Sequence, residues 1–214
     1  MKDIPVFTTP FGVASLILKE IPYRQEAYIH VQAVEQGKLD GLLEECIRFC
    51  RMAGAEKVYA CGHEGLEKYP LYCAVLEMSG TAWVDSGMLE NLFPVTDASV
   101  SGWRTTYNER MKEVDNALTL TKMDEKRILE SGGAYFVHHE GDLLGIGWLD
   151  DPKLLAIASV KKGAGERVAH TLMSLVEGDR MTLEVASTNQ RAISLYEKLG
   201  FMKTAEKNRW YQVR

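Results

Sequence analysis

Two stretches of this chain combine residue types and spacings that could do chemistry. The first is Val160-Lys161-Lys162-Gly163-Ala164-Gly165-Glu166-Arg167-Val168, where a β-rich run gives way to a helical one through two glycines and two lysines. A helix N-terminus carries unpaired backbone N–H groups and partial positive charge, which suits a phosphate-bearing ligand. Taken alone, the stretch reads equally well as a flexible helix entry with solvated lysines. The second is Asn189-Gln190-Arg191-Ala192-Ile193-Ser194-Leu195-Tyr196-Glu197-Lys198-Leu199-Gly200-Phe201. By spacing alone, Tyr196 packs on an amphipathic helix beside Leu195 and Leu199, and Asn189 caps it.

The elements that must position these residues follow from hydrophobic periodicity. AYFVHH (134–139), LLGIGWLD (143–150), KLLAIASV (153–160) and MTLEVAS (181–187) read as strands. A helix to about residue 176 follows the glycine turn, AISLYEKLG closes on Gly200, and NRWYQV is a last strand. Helices at 102–114 and 123–131 precede this set. In the first half, 13–21 and 27–34 read as strands joined by a turn. LLEECIRFCRMAG reads as a helix closed by Gly54, and Lys57–Cys61 as a short buried strand.

The two halves echo each other. Val34-Glu35-Gln36-Gly37 falls on Val160-Lys161-Lys162-Gly163, an offset of 126 residues, and AYIHVQAV falls on KLLAIASV. A duplicated unit of strand, glycine turn, helix and strand is the reading to suspect. The boundary is expected within 79–97, where Gly80, Gly87 and Pro94 interrupt any periodicity, giving domains of 1–85 and 86–214.

Bulk properties exclude several classes. The 214 residues are 46% hydrophobic and 26% charged, and the formal net charge is -5, against a phosphate-backbone (nucleic-acid) binder. No apolar run reaches membrane-spanning length, and MKDIPVFTTPFG lacks the apolar core of a signal peptide, so a cytoplasmic location is expected. Cys46, Cys50, Cys61 and Cys73 are then expected to be reduced. Without a CxxC knuckle they read as small buried hydrophobes rather than metal ligands, so no metal is expected.

Lys162-Gly163-Ala164-Gly165, after a strand and before a helix, resembles the (Arg/Gln)-x-x-Gly-x-(Gly/Ala) coenzyme A signature of the GNAT acyltransferase superfamily. Residues 189–201 resemble that family's C-terminal motif, N-x-x-A-x-x-L-Y-x-x-x-G-F. The resemblance covers roughly 90–214 by element order. The first half resembles only a truncated, degenerate copy. The implied fold is a mixed α/β GNAT fold. Two departures stand out. Val160 is followed almost at once by Lys162, where the family usually has several residues between. Arg167 stands where the family has a small residue that lets backbone approach phosphate.

The resemblance implies an N-acetyltransferase using acetyl-CoA and a primary amine of a small-molecule or peptide acceptor, acting as a monomer or homodimer. Main-chain groups of Lys162, Gly163, Ala164, Gly165, Glu166 and Arg167 would hold the pyrophosphate. Strand 153–160 would splay from strand 181–187, freeing Ile157, Ala158, Ser159 and Val160 to pair with the pantetheine arm and to polarise the thioester carbonyl. Tyr196 would protonate the departing thiolate, and Asn189 would also touch the pantetheine. Glu184 is the candidate base, with Asp150, Asp151, His138, His139 and a water chain as open alternatives. In the first half, Leu39 replaces a glycine within Gln36–Gly41, so that half is expected to bind no cofactor and to cover the acceptor side. A non-catalytic acyl-CoA-binding module and a purely structural scaffold are the competing readings.

Overall fold

The computed structural model describes residues 5–81 and 84–214. The sequence expectations that touch residues 1–4, and Ala82 and Trp83 within the expected boundary, lie outside the described residues. The chain forms two compact units, Met1–Ala74 with Lys207–Arg214, and Val75–Glu206.

The first unit contains β1 (Val6–Thr9), β2 (Gly12–Ile17), the one-turn helix α1 (Ile21–Arg24), β3 (Glu26–Val34), α2 (Leu39–Met52) and β4 (Lys57–Cys61). A 3-10 turn, Glu64–Lys68, leads into β5 (Leu71–Thr81), which continues into the second unit. The strand expected over 13–21 ends at Ile17, and the joining turn contains one helical turn closed by Gln25 at φ 58. Helix α2 starts at Leu39, three residues before its expected span, and buries Leu39 with Leu42, Leu43, Cys46 and Cys50, four of the positions its period marks. Strands β3 and β4 are parallel over five residue pairs, from Glu26 with Lys57 to His30 with Cys61.

The second unit continues with a 3-10 turn at Ser86–Met88 and β6 (Asn91–Pro94). Then come α3 (Val100–Met111), α4 (Lys122–Ser131), β7 (Ala134–His139), β8 (Asp142–Asp150) and β9 (Lys153–Ser159). Last are α5 (Gly165–Met173), β10 (Arg180–Ala186), α6 (Gln190–Lys198) and β11 (Met202–Gln212). Its strands lie in the order β11-β5-β10-β9-β8-β7-β6. One face packs on α5 and α6 through Leu154, Val168, Leu172, Leu183, Val185 and Tyr196. The other packs on α3 and α4 through Trp103, Ile128, Ala156 and Ala158. Two-sided burial explains the near-continuous apolar run of β8. The expected mixed α/β architecture is the one observed.

Strand β5 carried no expectation, although Leu71-Tyr72-Cys73-Ala74-Val75-Leu76 is a short apolar run of the kind a buried strand has. It pairs antiparallel with β10, placing Glu77 opposite Glu184. Among the described residues, no helix is long and apolar enough to cross a membrane.

Candidate active site

A local irregularity in β9 shapes the site. Trp148 of β8 pairs with Ala156 and Leu149 pairs with Leu154, so Leu155 is an extra residue, a β-bulge. The parallel ladder between β9 and β10 stops at the same place, after Thr182 with Lys153 and Leu183 with Leu154. A bulge bends and twists its strand away from a neighbour, which accounts for the early end of this ladder. Beyond it β9 stays bonded to β8 alone, through Ser159 opposite Gly145.

This narrows the expectation that residues 157–160 all have free main-chain groups. The N–H groups of Val160 and Lys161 both donate to the Leu144 carbonyl, at 2.7 and 3.3 Å. Antiparallel alternation then directs the main chain of Ala158 toward β8 as well, and that of Ile157 and Ser159 toward the gap. Ile157 and Ser159 therefore carry the exposed ladder edge.

The turn after β9 is tight. Ala164 N–H donates to the Lys161 carbonyl at 3.2 Å, and Gly163 has φ +86, a conformation costly for residues with a Cβ. The first helical bond of α5 runs from Val168 N–H to Ala164 O at 3.0 Å. The N–H groups of Gly165, Glu166 and Arg167 accordingly find no acceptor among the described residues. Of the six expected donors, Ala164 is thus committed within the turn. Helix α5 sits close on β8 because Gly147 leaves room for Leu172, whose Cδ1 would lie 2.2 Å from a Cβ there. That approach sets the helix N-terminus beside the end of β9, and a Cβ on Gly165 would lie 4.0 Å from Ser159 Oγ.

The charged side chains around the turn are drawn aside. Glu166 pairs with Lys198 at 2.6 Å, removing its carboxylate from the N–H groups. Arg167 donates through Nη1 to Glu90 Oε1, and Lys161 pairs with Asp142. Glu90 is only 3% exposed, and its second oxygen lies 2.8 Å from His139 Nδ1. Its backbone N–H donates to Thr171 Oγ1 of α5 at 3.1 Å. Desolvation alone would raise the Glu90 pKa; the hydrogen bonds and charges of Arg167 and His139 outweigh it, and the carboxyl lies below its ordinary value. Glu90 and its role went unforeseen, since it sits in a stretch without periodicity and meets Arg167 only through folding. Lys162 makes no ion pair among the described residues.

On α6, Asn189 caps the helix, its Oδ1 accepting from Ala192 N–H at 3.2 Å. Tyr196 is 7% exposed, with its ring 5.9 Å from that of Phe201. Burial pushes its phenol pKa above the ordinary value. The hydroxyl has no hydrogen-bond partner among the described residues.

Glu184 is exposed on β10 and pairs with Lys153 at 2.7 Å. Strand alternation puts it on the face opposite Leu183 and Val185, which pack with Tyr196. His139 belongs to the Glu90 cluster, and the His138 ring is T-shaped to Phe93 at 5.1 Å. Asp150 and Asp151 are exposed at the β8–β9 turn. Cys46, Cys50, Cys61 and Cys73 are free and buried, and His63 Nδ1 accepts from Gly65 N–H at 2.9 Å.

Comparison with known proteins agrees with this architecture. Residues 158–211 match the family model described as FR47-like protein. No curated protein sequence matches the chain. A conserved protein of unknown function from Staphylococcus epidermidis is similar in structure, with TM-score 0.60 at 9% identity over 99% of this chain and 94% of its own. A GCN5-related N-acetyltransferase from Sphaerobacter thermophilus has TM-score 0.54 at 12% identity, over 94% of this chain and 76% of its own. A tandem GNAT protein from the clavulanic acid biosynthesis pathway has TM-score 0.51 at 14% identity, over 94% and 78%. The bulged β9, the glycine turn into α5 and the capped α6 are thus parts of a fold that this chain shares with solved GNAT proteins.

Proposed function

We propose that this protein is an N-acyltransferase that moves an acetyl group from acetyl-CoA to a primary amine of a small-molecule or peptide acceptor. The observation that carries the reading is the gap that opens beyond Leu154 and Leu183, bordered by the main chain of Ile157 and Ser159 and by the uncovered N-terminus of α5.

The residues present fit coenzyme A. Three N–H groups of Gly165, Glu166 and Arg167 point off a helix N-terminus, with Lys162, which has no ion pair among the described residues, next to them in sequence, a setting for a pyrophosphate. The Arg167 side chain, whose bulk would favour a non-catalytic module, is held by Glu90 instead. The edge of Ile157 and Ser159 supports main-chain pairing with a pantetheine arm in the manner of an added strand. Acetyl-CoA supplies the activated thioester.

Tyr196 then donates its proton to the departing sulfur, a role for which a phenol kept protonated by burial is suited. Glu184, beside Lys153, takes the proton from the amine on the opposite face of the sheet. Acid and base thus approach the gap from its two sides, so donor and acceptor need not compete for one entrance.

Thiol release from acetyl-CoA, measured across a panel of amines, tests the proposal. Turnover with at least one amine, lost or strongly reduced in Tyr196→Phe, is the expected result. Tight coenzyme A binding without turnover on any amine would instead make the chain a binding module.

A further inference from the structure

A groove in the first unit has the makings of a second ligand site. It is an open groove of about 660 Å³, a volume within the range of small-molecule pockets. One wall is the outer flank of α2, and the other is formed by Tyr69 and the end of the chain at Val213 and Arg214. Its floor is apolar: Leu43 belongs to the core of the unit, and Ile47, Tyr69 and Val213 pack against that core.

The polar groups are unevenly distributed. Arg48, Arg51 and Arg214 all line the groove, and none makes an ion pair among the described residues. The acidic side chains there are Asp40, which pairs with Lys68, and Glu44. Arg51, in the last turn of α2, also complements the negative end of that helix dipole. The dipole does not account for Arg214, which arrives from the far end of the sequence. Like charges gathered from separate elements repel one another unless an anion is placed among them.

We propose that this groove binds a small organic anion with an apolar body, its carboxylate or phosphate head held by Arg48, Arg51 and Arg214 and its body lying on Leu43, Ile47, Tyr69 and Val213. The guanidinium fork recognises both heads through paired N–H donors, and the open apolar floor takes an alkyl or aryl chain. Its residues are separate from those of the acetyl-CoA cradle, so the proposal stands independently of the catalytic reading.

Calorimetric titration of the full chain with octyl phosphate, octanoate, octanol and octylamine tests it, each with and without saturating coenzyme A. The two anions should bind with dissociation constants of about 1 mM or tighter, and octanol and octylamine at least about tenfold more weakly. The preferred anion identifies the natural head group. The variant Arg48→Gln/Arg51→Gln should lose about tenfold or more in affinity for the anions. Both arginines are exposed, so its melting temperature should stay within about 2 °C of wild type. Arg214→Gln alone should weaken binding in the same direction. Equal binding of octanol would reduce the groove to an apolar patch and overturn the proposal. So would unchanged affinity in the arginine variants, failure of both anions to bind, or displacement of the anions by coenzyme A.

Discussion

The guanidinium of Arg167 is bonded to the carboxylate of Glu90, and this contact determines what the first turn of α5 presents. Arginine at this position departs from the small residue of the coenzyme A signature, and a side chain directed at the turn would block a phosphate. Glu90 removes the obstruction. Because the Glu90 side chain is buried, and the residue is anchored to Thr171 through its backbone and bonded to His139, the arginine is tied through it to α5 and β7.

If the guanidinium is held aside, the cradle works through main-chain donors. Arg167→Ala should then change coenzyme A affinity by less than about threefold, measured by calorimetry. A loss of tenfold or more, the scale of a charge-assisted hydrogen bond, would place the guanidinium on the phosphate.

The same cluster predicts an acid-limb effect on stability. The Glu90 pKa is lowered in the folded state, so its contribution is fully present above the ordinary carboxyl value and is lost as pH falls through the folded value. Glu90→Gln should lower stability by about 1–2 kcal/mol near neutral pH, partly screened because Arg167 is 43% exposed. Its melting temperature should approach that of wild type as pH falls below the ordinary carboxyl value of 4.5 and through the lower folded value. Parallel curves for the two proteins over that range would exclude Glu90 as the titrating group.

Tyr196→Phe isolates the proton donor. The hydroxyl has no partner among the described residues, so its removal should leave the melting temperature and coenzyme A affinity nearly unchanged, while kcat falls about 100-fold or more. Since burial raises the phenol above its ordinary value of 10.0, wild-type activity should show no loss from Tyr196 ionisation below that pH. An alkaline decline between pH 8 and 10 that vanishes in Tyr196→Phe would contradict the geometry.

Gly163 tests the turn. No atom lies within 4 Å of a Cβ placed there, so a substitution meets only the cost of φ +86. Gly163→Val should cost about 1–2 kcal/mol and weaken coenzyme A binding, whereas Gly163→Asn should be closer to wild type, because asparagine enters the left-handed region more readily. Equal behaviour of the two variants in thermal melts would show that the turn relaxes.

For the amine side, Glu184→Gln should lower kcat about tenfold or more with coenzyme A affinity preserved. An unchanged pH–rate profile would assign the base to water.

Elements with strong local periodicity were legible from the chain alone. Strand β7 matches its expected span, and β8 through α6 match theirs to within a few residues at each end, because alternation and helical spacing are local properties. The same holds for α2, where Leu39, Leu42, Leu43, Cys46 and Cys50 recur at helical spacing. Strand β5 was not, since a continuous apolar run names no partner, and only folding sets it beside β10.

The site divides along the same line. Residue order alone marks Lys162–Arg167 as a turn into a helix and Asn189 and Tyr196 as the cap and a ring of one helix, since each depends on neighbours a few positions away. Three features were decided only in three dimensions: the bulge at Leu155 that stops the β9–β10 ladder, the diversion of Arg167 to Glu90, and the placing of Glu184 and Tyr196 on opposite faces. Each depends on strand register or on a meeting of residues far apart in sequence, such as the 77 positions between Glu90 and Arg167. Local pattern carries no information about such meetings, which are set by how the whole sheet packs.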